Sequence, residues 1–222
     1  MSRKSIFVNA LTFARVPLIF LWAAFAVLAE LAYDGESVRR WGDCSFLLVV
    51  AAGVCMFLSG MTDLWDGKLA RRWNVVSALG KMADPLMDKV FYLVAFPVLA
   101  WQAAHQGLGN LMEQSILWLT VLYLLRDTWV TFLRSVGTMY GADVGAMWLG
   151  KVRTALSFPG AGWVYCFLAL RPMVACESPW VERAWPASVL FVEAFLAVLT
   201  LVSLVTYTRA YMPYLKRALE RK

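Results

Sequence analysis

The sequence has 222 residues, 61% of them hydrophobic and 16% charged, with a formal net charge of +6. Soluble domains are roughly 45–50% apolar and about 25% charged, so a soluble globule could not bury this much apolar side chain. The composition also excludes a disordered, collagen-like, coiled-coil or disulfide-rich secreted chain, and it predicts an all-α integral membrane protein.

Six apolar stretches are predicted to be transmembrane helices. A bilayer core of ~30 Å requires about 20 apolar residues of helix, and no segment shows the two-residue alternation of a membrane strand. The fourth stretch is short because Arg126 and Asp127 follow it directly. In chain order, the stretches are residues 16–29, 44–62, 90–112, 115–125, 154–170 and 184–208. The tail after Pro213 is predicted to form a short interfacial helix, and residues 1–222 to form a single membrane domain.

The distribution of Lys and Arg predicts the orientation in the membrane. Most of the 21 basic residues lie near the two chain ends and in the second-to-third and fourth-to-fifth connections. The opposite side has only Arg39, Arg40, Arg171 and Arg183. Because loops rich in Lys and Arg remain in the cytoplasm, both termini and these two connections are predicted to be cytosolic. The net positive charge is therefore explained by the orientation of the helices in the membrane and by attraction to anionic lipid. It does not indicate a nucleic-acid partner.

Four aspartates flank the second-to-third connection. Asp63 and Asp66 are three residues apart at the end of the second span, and Asp84 and Asp88 are four apart at the start of the third. Residues at these spacings share one face of a helix. A short reversal at residues 72–80 would make the two helices antiparallel neighbours, and all four carboxylates would then meet at the cytosolic membrane surface.

Carboxylates that meet in a low-dielectric corner repel one another and must be neutralised. Two divalent cations, Mg²⁺ or Mn²⁺, would balance them with hard oxygen ligands, as in two-metal centres that act on phosphorus. A second interpretation is a charge network without metal, and the spacing alone does not decide between the two. The cations available to that network are Lys68, Arg71, Arg72 and Lys89.

Small residues beside the aspartates favour the metal centre. Gly67 and Ala70 follow Asp66, and Gly80 precedes Asp84 by four residues. Glycine inside a helix costs ~1 kcal/mol relative to alanine, so its presence here indicates the close approach of a flat ring or a phosphate. Arg71 lies next to this gap and could bind a diphosphate through two parallel hydrogen bonds.

The complete pattern resembles the signature of the CDP-alcohol phosphotransferase family. It reads Asp63-x-x-Asp66-Gly67-x-x-Ala70-Arg71, eight residues, then Gly80-x-x-x-Asp84-x-x-x-Asp88, and all eight defined positions match. The resemblance implies a six-helix membrane fold with both termini cytosolic, in a bacterial inner membrane and often as a homodimer.

The resemblance also implies a reaction and a set of roles. In the family, a CDP-linked lipid reacts with an alcohol and CMP leaves. By position, Asp63, Asp66, Asp84 and Asp88 would bind the two divalent cations, and Asp88 would also be the general base that deprotonates the acceptor hydroxyl. The CDP pocket would contain Gly67, Ala70, Arg71 and Gly80.

Segments outside the signature bear on the acceptor. Residues 9–17 resemble the N-terminal segment of phosphatidylglycerophosphate synthases and cardiolipin synthases, and residues 126–134 and 149–154 look more like the former. The prediction is therefore phosphatidyl transfer from CDP-diacylglycerol to sn-glycerol 3-phosphate, with phosphatidylglycerol or an inositol phosphate as alternative acceptors. One departure is Asp127, where phosphatidylglycerophosphate synthases commonly have Glu. The residues predicted to bind the acceptor phosphate are Arg15, Arg126, Arg134 and Lys151.

A cation transporter is the non-enzymatic alternative, because aspartates within membranes also mark ion paths. A transporter should place its acids near the bilayer midplane on several helices. Here the four aspartates lie at one surface, and Glu193 is the only acid well inside a predicted span, so the sequence favours the enzyme.

Overall fold

The computed structural model describes residues 3–32, 44–75, 78–142, 147–174 and 179–220, apart from the side chains of residues 78–79, 81–82, 84–85, 173–174 and 179–182. The described residues form an all-helical bundle. Its helices are α1 (Arg3–Leu31), α2 (Cys44–Arg72), α3 (Ala78–His105), α4 (Asn110–Met139), α5 (Trp148–Val174) and α6 (Pro179–Glu220).

Five of these helices are long and apolar enough to cross a membrane: α1, α2, α4, residues 86–105 of α3 and residues 183–220 of α6. The remaining helix, α5, has 27 residues. Its N-terminal half contains buried and exposed cations, which lower its apolar content. The integral membrane class is thus supported, while the count of six spans stays a prediction.

The burial pattern reverses that of a soluble protein. Large apolar side chains such as Phe57 and Phe191 are 66% and 71% exposed. Charged side chains such as Arg15, Asp127 and Arg153 are buried instead. Lipid can solvate the exposed apolar side chains, whereas charges inside a membrane must face the bundle interior and one another. The interior of this bundle is therefore where the polar chemistry lies.

Helix α1 lies between α2 and α3, because it packs extensively against both, while α2 and α3 make little direct contact within their described residues. The prediction that α2 and α3 are adjacent is therefore wrong. The inward face of α1, with Ile19, Trp22 and Ala26, is almost fully buried, and Trp22 packs edge-on against Tyr165 of α5. The apolar composition of this stretch could not indicate which helices would cover this face.

Two predicted boundaries also change. The third stretch, 90–112, is divided because α3 ends at His105 and α4 begins at Asn110. The turn between the two helices contains Gly107 and Gly109 at φ values of 61° and 93°, which glycine adopts at little cost. The turn was not predicted because apolar residues lie on both sides of it.

The C-terminal tail is also not a separate interfacial helix. Helix α6 continues through Pro213 to Glu220. Tyr211, Tyr214 and Leu215 of this extension pack on Val130 and Leu133 of α4, and this packing keeps the tail in line with the rest of the helix.

Side-chain contacts bring one set of helix ends together. Arg15 of α1 reaches Asp63 of α2 and Asp88 of α3, and Asp127 of α4 reaches Arg153 of α5. The N-terminal halves of α1, α3 and α5 thus meet the C-terminal halves of α2, α4 and α6, and they enclose the candidate site.

Candidate active site

An acidic cluster forms around Arg15. The Arg15 Nη2 donates to Oδ1 of Asp63 in a short hydrogen bond and lies 3.3 Å from Oδ2 of Asp66. Its Nη1 lies 3.3 Å from Oδ1 of Asp88. Thr12, one helical turn before Arg15, donates to the same Asp66 oxygen at 2.8 Å. Three of the four signature aspartates, from two helices, therefore converge on one guanidinium of α1.

The three carboxylates differ in their exposure. The side chains of Arg15 and Asp66 are 4% and 6% exposed, whereas those of Asp63 and Asp88 are 52% and 32% exposed. The buried Asp66 carboxylate is hydrogen-bonded to Thr12 and Arg15. The Asp63 and Asp88 carboxylates line the cavity described below. The cluster carries two more negative charges than positive charges among these four residues.

The chemistry of this cluster fits a hard divalent cation. Carboxylate oxygens are the ligands that Mg²⁺ and Mn²⁺ prefer, and three of them already surround a positive group. As arranged, the described His, Cys, Asp and Glu side chains form no group of three or more around a common point, because the Arg15 guanidinium lies between the acids. The Asp84 side chain lies outside the described residues, so the two-metal centre stays a prediction.

The alternative charge network assigned other cations to the aspartates. Between described residues, the ion pairs of Asp63, Asp66 and Asp88 are made by Arg15. Lys89, one of the cations considered, instead donates to Thr131 Oγ1 of α4 at 3.0 Å.

A cavity of about 700 Å³ is lined both by the acidic cluster and by a group of cations, here called the basic wall. This volume lies within the range of small-molecule sites, roughly 300–1,000 Å³. From the acidic cluster, Asp63, Asp88 and Arg15 belong to the lining. The basic wall, on α3, α4 and α5, consists of Lys89, Arg126, Arg134, Lys151 and Arg153. Apolar rings, including Phe57, Phe91 and Phe158, complete the lining.

Asp127 is the centre of the basic wall. Its Oδ1 accepts hydrogen bonds from Arg126 Nη1 at 2.8 Å and from Arg153 Nη2 at 2.9 Å. Its Oδ2 accepts a short hydrogen bond from the Tyr92 hydroxyl of α3. Arg126 also donates to Ser203 of α6 at 2.6 Å. One carboxylate thus pairs with two guanidinium groups and joins three helices, α3, α4 and α5.

Tyr207 of α6 supports the outer part of this wall. Its hydroxyl accepts from Arg134 Nη2 at 3.2 Å and from the backbone N–H of Met147 at 2.9 Å. Its ring lies 5.0 Å from the Arg126 guanidinium carbon, a cation–π distance. A Cβ added at Gly150 would lie 2.9 Å from the Tyr207 oxygen and 3.1 Å from Arg126 Nη2. Glycine at position 150 therefore permits α5 to approach both groups.

The predicted nucleotide-binding residues lie beside this cavity rather than along its described lining. Gly67, Ala70 and Arg71 occupy the last turns of α2, and Gly80 the first turn of α3. Among described atoms, a Cβ at Gly67 would meet only Arg71 Nη2, at 3.8 Å. Apart from that side chain, the space next to Gly67 is open in the described part of the chain.

Sequence reasoning missed Arg153, Tyr92 and Tyr207. Lys151 and Arg153 are two residues apart and cannot share a helix face; Lys151 is exposed, whereas Arg153 is buried. The useful signal was the spacing of Gly150, Arg153 and Ser157, which lie on one face and are all buried. That pattern marks a polar, inward-facing side of α5.

Comparisons with known proteins identify related enzymes. The chain is 32% identical over 175 residues to a cardiolipin synthase (CMP-forming) of Streptomyces coelicolor, which covers 73% of this chain and 70% of that protein. It is 32% identical over 160 residues to a CDP-diacylglycerol–glycerol-3-phosphate 3-phosphatidyltransferase of Escherichia coli, covering 72% of this chain and 78% of that protein. The enzyme of the same name from Shigella flexneri is 31% identical over the same lengths.

The sequence profile described as CDP-alcohol phosphatidyltransferase matches residues 6–202. The match includes the aspartate signature and every cation of the basic wall. This protein therefore belongs to the CDP-alcohol phosphatidyltransferase family.

Proposed function

We propose that this protein transfers the phosphatidyl group of CDP-diacylglycerol to sn-glycerol 3-phosphate, releasing CMP and forming phosphatidylglycerophosphate. The observation that carries the proposal is a single cavity lined both by the acidic cluster and by the basic wall. The reaction joins a diphosphate-linked lipid to a phosphorylated alcohol, so it requires both kinds of wall within one site.

Members of this family generally use divalent metal ions. We propose that Asp63, Asp66, Asp84 and Asp88 hold two of them, Mg²⁺ or Mn²⁺, in agreement with the oxygen ligands of the acidic cluster. When bound, the metals would neutralise the diphosphate and stabilise the charge on departing CMP.

Asp88 is proposed as the general base. It lines the cavity and is partly exposed, so an acceptor hydroxyl can reach it. The carboxylate would remove the hydroxyl proton as the oxygen attacks the β-phosphorus of the CDP-lipid. A carboxylate is a weak base for an alcohol, so positioning of the two substrates must supply much of the rate enhancement.

The basic wall is proposed to bind the phosphate of the acceptor. Arg126, Arg134 and Lys151 line the same cavity as Asp88, and guanidinium groups bind phosphate oxygens through paired hydrogen bonds. Arg15, the fourth predicted residue, is engaged with the carboxylates, and we propose that it serves as their counter-ion. Gly67, Ala70, Arg71 and Gly80 remain our proposed nucleotide pocket.

The lipid-facing surface supports a membrane location. We propose a bacterial inner membrane with the active site on the cytosolic side, from the clustering of Lys and Arg at that end of the bundle. A homodimer is a further proposal that follows from the family resemblance alone.

A cardiolipin synthase is the second candidate. The observation in its favour is the similarity to the Streptomyces coelicolor enzyme, for which the acceptor would be phosphatidylglycerol. An inositol phosphate is a third acceptor. The cation transporter is not retained, because the family consists of phosphatidyltransferases.

One assay distinguishes these acceptors. Purified protein with Mg²⁺ and CDP-diacylglycerol is supplied separately with glycerol 3-phosphate, phosphatidylglycerol or an inositol phosphate, and CMP release is measured. We expect rapid release only with glycerol 3-phosphate. Release only with phosphatidylglycerol would assign the protein to cardiolipin synthesis, and release with none of the acceptors would contradict the proposed activity.

A further inference from the structure

A second cavity is a groove between α4 and α6 on the outside of the bundle. It has a volume of about 750 Å³ and shares no lining residue with the candidate active site. The lining residues of each helix follow the three- and four-residue spacing that places side chains on one helix face. They are Leu125, Thr128, Trp129 and Phe132 of α4 and Leu204, Val205, Thr208 and Arg209 of α6.

Hydrogen bonds across this groove join the two helices. The Trp129 indole Nε1 donates to Thr208 Oγ1 at 2.8 Å, and the Thr208 hydroxyl donates to the Leu204 carbonyl at 2.8 Å. Deeper in the bundle, Arg126 of α4 donates to Ser203 of α6 at 2.6 Å. The groove is therefore a defined feature of the helix pair rather than a gap between separate elements.

One end of the groove is apolar and the other end carries a cation. Leu125, Leu204 and Val205 lie nearer the middle of the helices, whereas Arg209 lies one turn further toward the end of the bundle that holds the candidate active site. Arg209 is exposed and makes no ion pair with an acid among the described residues. Its alkyl stem can follow the apolar wall while the guanidinium reaches the membrane surface.

This combination fits a glycerophospholipid with net negative charge. An acyl chain would occupy the apolar length of the groove, and the phosphate would accept hydrogen bonds from Arg209. Basic pockets between transmembrane helices bind anionic headgroups in the same way. A zwitterionic lipid would gain less, because the positive group of its headgroup offsets the charge of its phosphate.

A second copy of this chain fits the groove less well. Two copies that met on this face around a twofold axis would present the same residues to each other. Each Arg209 would then approach a surface that also carries Lys216 and Arg217, and like charges at an interface are unfavourable. An anionic lipid instead brings the opposite charge to the cation.

We propose that the groove between α4 and α6 binds an anionic glycerophospholipid of the surrounding bilayer, with an acyl chain along Leu125, Leu204 and Val205 and its phosphate on Arg209. The site goes beyond the proposed function, because a lipid bound here is neither the donor nor the acceptor of the transferred group. Since the groove joins α4 to α6, the bound lipid should stabilise this helix pair and raise the Tm.

The test places the full-length protein in nanodiscs of phosphatidylcholine with increasing fractions of phosphatidylserine, which is a substrate of neither proposed reaction. A trace of phosphatidylserine or of phosphatidylcholine carries a photoreactive acyl chain, and peptide mapping measures the labelling of the groove residues. We expect the labelling by the phosphatidylserine probe to saturate, the labelling by the phosphatidylcholine probe to stay weaker, and the Tm to rise with the phosphatidylserine fraction.

Matched variants separate the charge from the shape of the groove. Arg209→Gln should raise the phosphatidylserine fraction needed for half-maximal labelling about fivefold, the usual contribution of one basic residue near an anionic membrane surface. Lys216→Gln removes an exposed cation of α6 outside the groove and should have little effect. Val205→Trp should fill the groove and reduce labelling, whereas Val202→Trp, an exposed position outside the lining, is its control.

Three results would overturn the inference. They are equal labelling of the groove by the two probes, undiminished labelling in both folded Arg209→Gln and folded Val205→Trp, and absence of labelling from the groove. In the last case, a dimer that Val205→Trp converts to a monomer would assign this face to a second copy of the chain. The Tm in phosphatidylcholine alone shows whether each variant is folded, and Val205→Trp carries the test if Arg209→Gln is not.

Discussion

The acidic cluster and the basic wall are built on the same plan with opposite signs. On the acidic side, three carboxylates of α2 and α3 surround Arg15 of α1. On the basic side, five cations of α3, α4 and α5 include two that are held by Asp127. In each case one minority charge holds like charges together, and the excess charge that remains can attract a ligand of opposite sign.

The two regions differ in their exposure to the cavity. Asp63 and Asp88 are partly exposed, whereas Asp127 and Arg153 are 6% and 1% exposed. A ligand in the cavity can therefore reach two carboxylates of the acidic cluster, whereas Asp127 and Arg153 of the basic wall are held by buried hydrogen bonds. We expect substitutions on the acidic side to affect chemistry and metal binding, and those on the basic wall to affect the acceptor.

The largest effect is expected for Asp88→Asn. Loss of a general base typically costs about 100- to 10,000-fold in rate, and the amide preserves the shape of the side chain. CMP release should fall by this factor, while CDP-diacylglycerol binding, measured separately, is retained. A near-normal rate would show that Asp88 is not the base.

Arg15→Gln should reveal the counter-ion role of this residue. Removing one partner of a buried ion pair can cost about 3 kcal/mol, and Asp66 would remain buried among other acids. The Tm should fall in the presence of a chelator, and Mg²⁺ should raise it more than in the unsubstituted protein, because no guanidinium competes for the carboxylates. Arg15→Lys is the matched control; a smaller response to Mg²⁺ in Arg15→Gln would contradict this role.

Gly150→Ala tests the close approach of α5 to the basic wall. The added Cβ would crowd the Tyr207 oxygen and Arg126 Nη2, and such overpacking costs about 1–3 kcal/mol. We expect a lower Tm and a higher KM for glycerol 3-phosphate. Gly162→Ala, also on α5, is the control because a Cβ there meets no described atom within 4 Å. Equal behaviour of the two variants would show that the close approach of α5 to the basic wall does not require glycine at position 150.

The smallest effect is expected for Lys151→Ala. This side chain is exposed, and exposed charges contribute little because water and salt screen them. The KM for glycerol 3-phosphate should rise about twofold to fivefold, and the difference from the unsubstituted protein should shrink at high ionic strength. A larger, salt-independent loss would place Lys151 in direct, desolvated contact with the phosphate.

Much of the acidic side could be predicted from the sequence because its spacing is local. Asp63 and Asp66 share a helix face wherever α2 is placed, and the excess of apolar residues requires lipid whatever the packing order. The position of Arg15 could not be predicted. It depends on α1 lying between α2 and α3, which is set by the fit of apolar faces along the whole length of these helices.

The basic wall shows the same limit more strongly. Arg126, Asp127 and Arg153 come from two helices, and their hydrogen-bond partners Tyr92 and Ser203 come from two more. No local pattern connects the four helices, and in the sequence Arg153 was interpreted only as one more cation near the membrane surface.

The all-helical membrane class, the aspartate signature and the family could be predicted from the amino-acid sequence, because they depend on composition and on spacings along the chain. The pairing of each cation with its acid, and the side of α5 that faces the cavity, became known only from the packing of the helices. Those contacts join residues that are far apart along the chain, and their geometry follows from how the helices pack together.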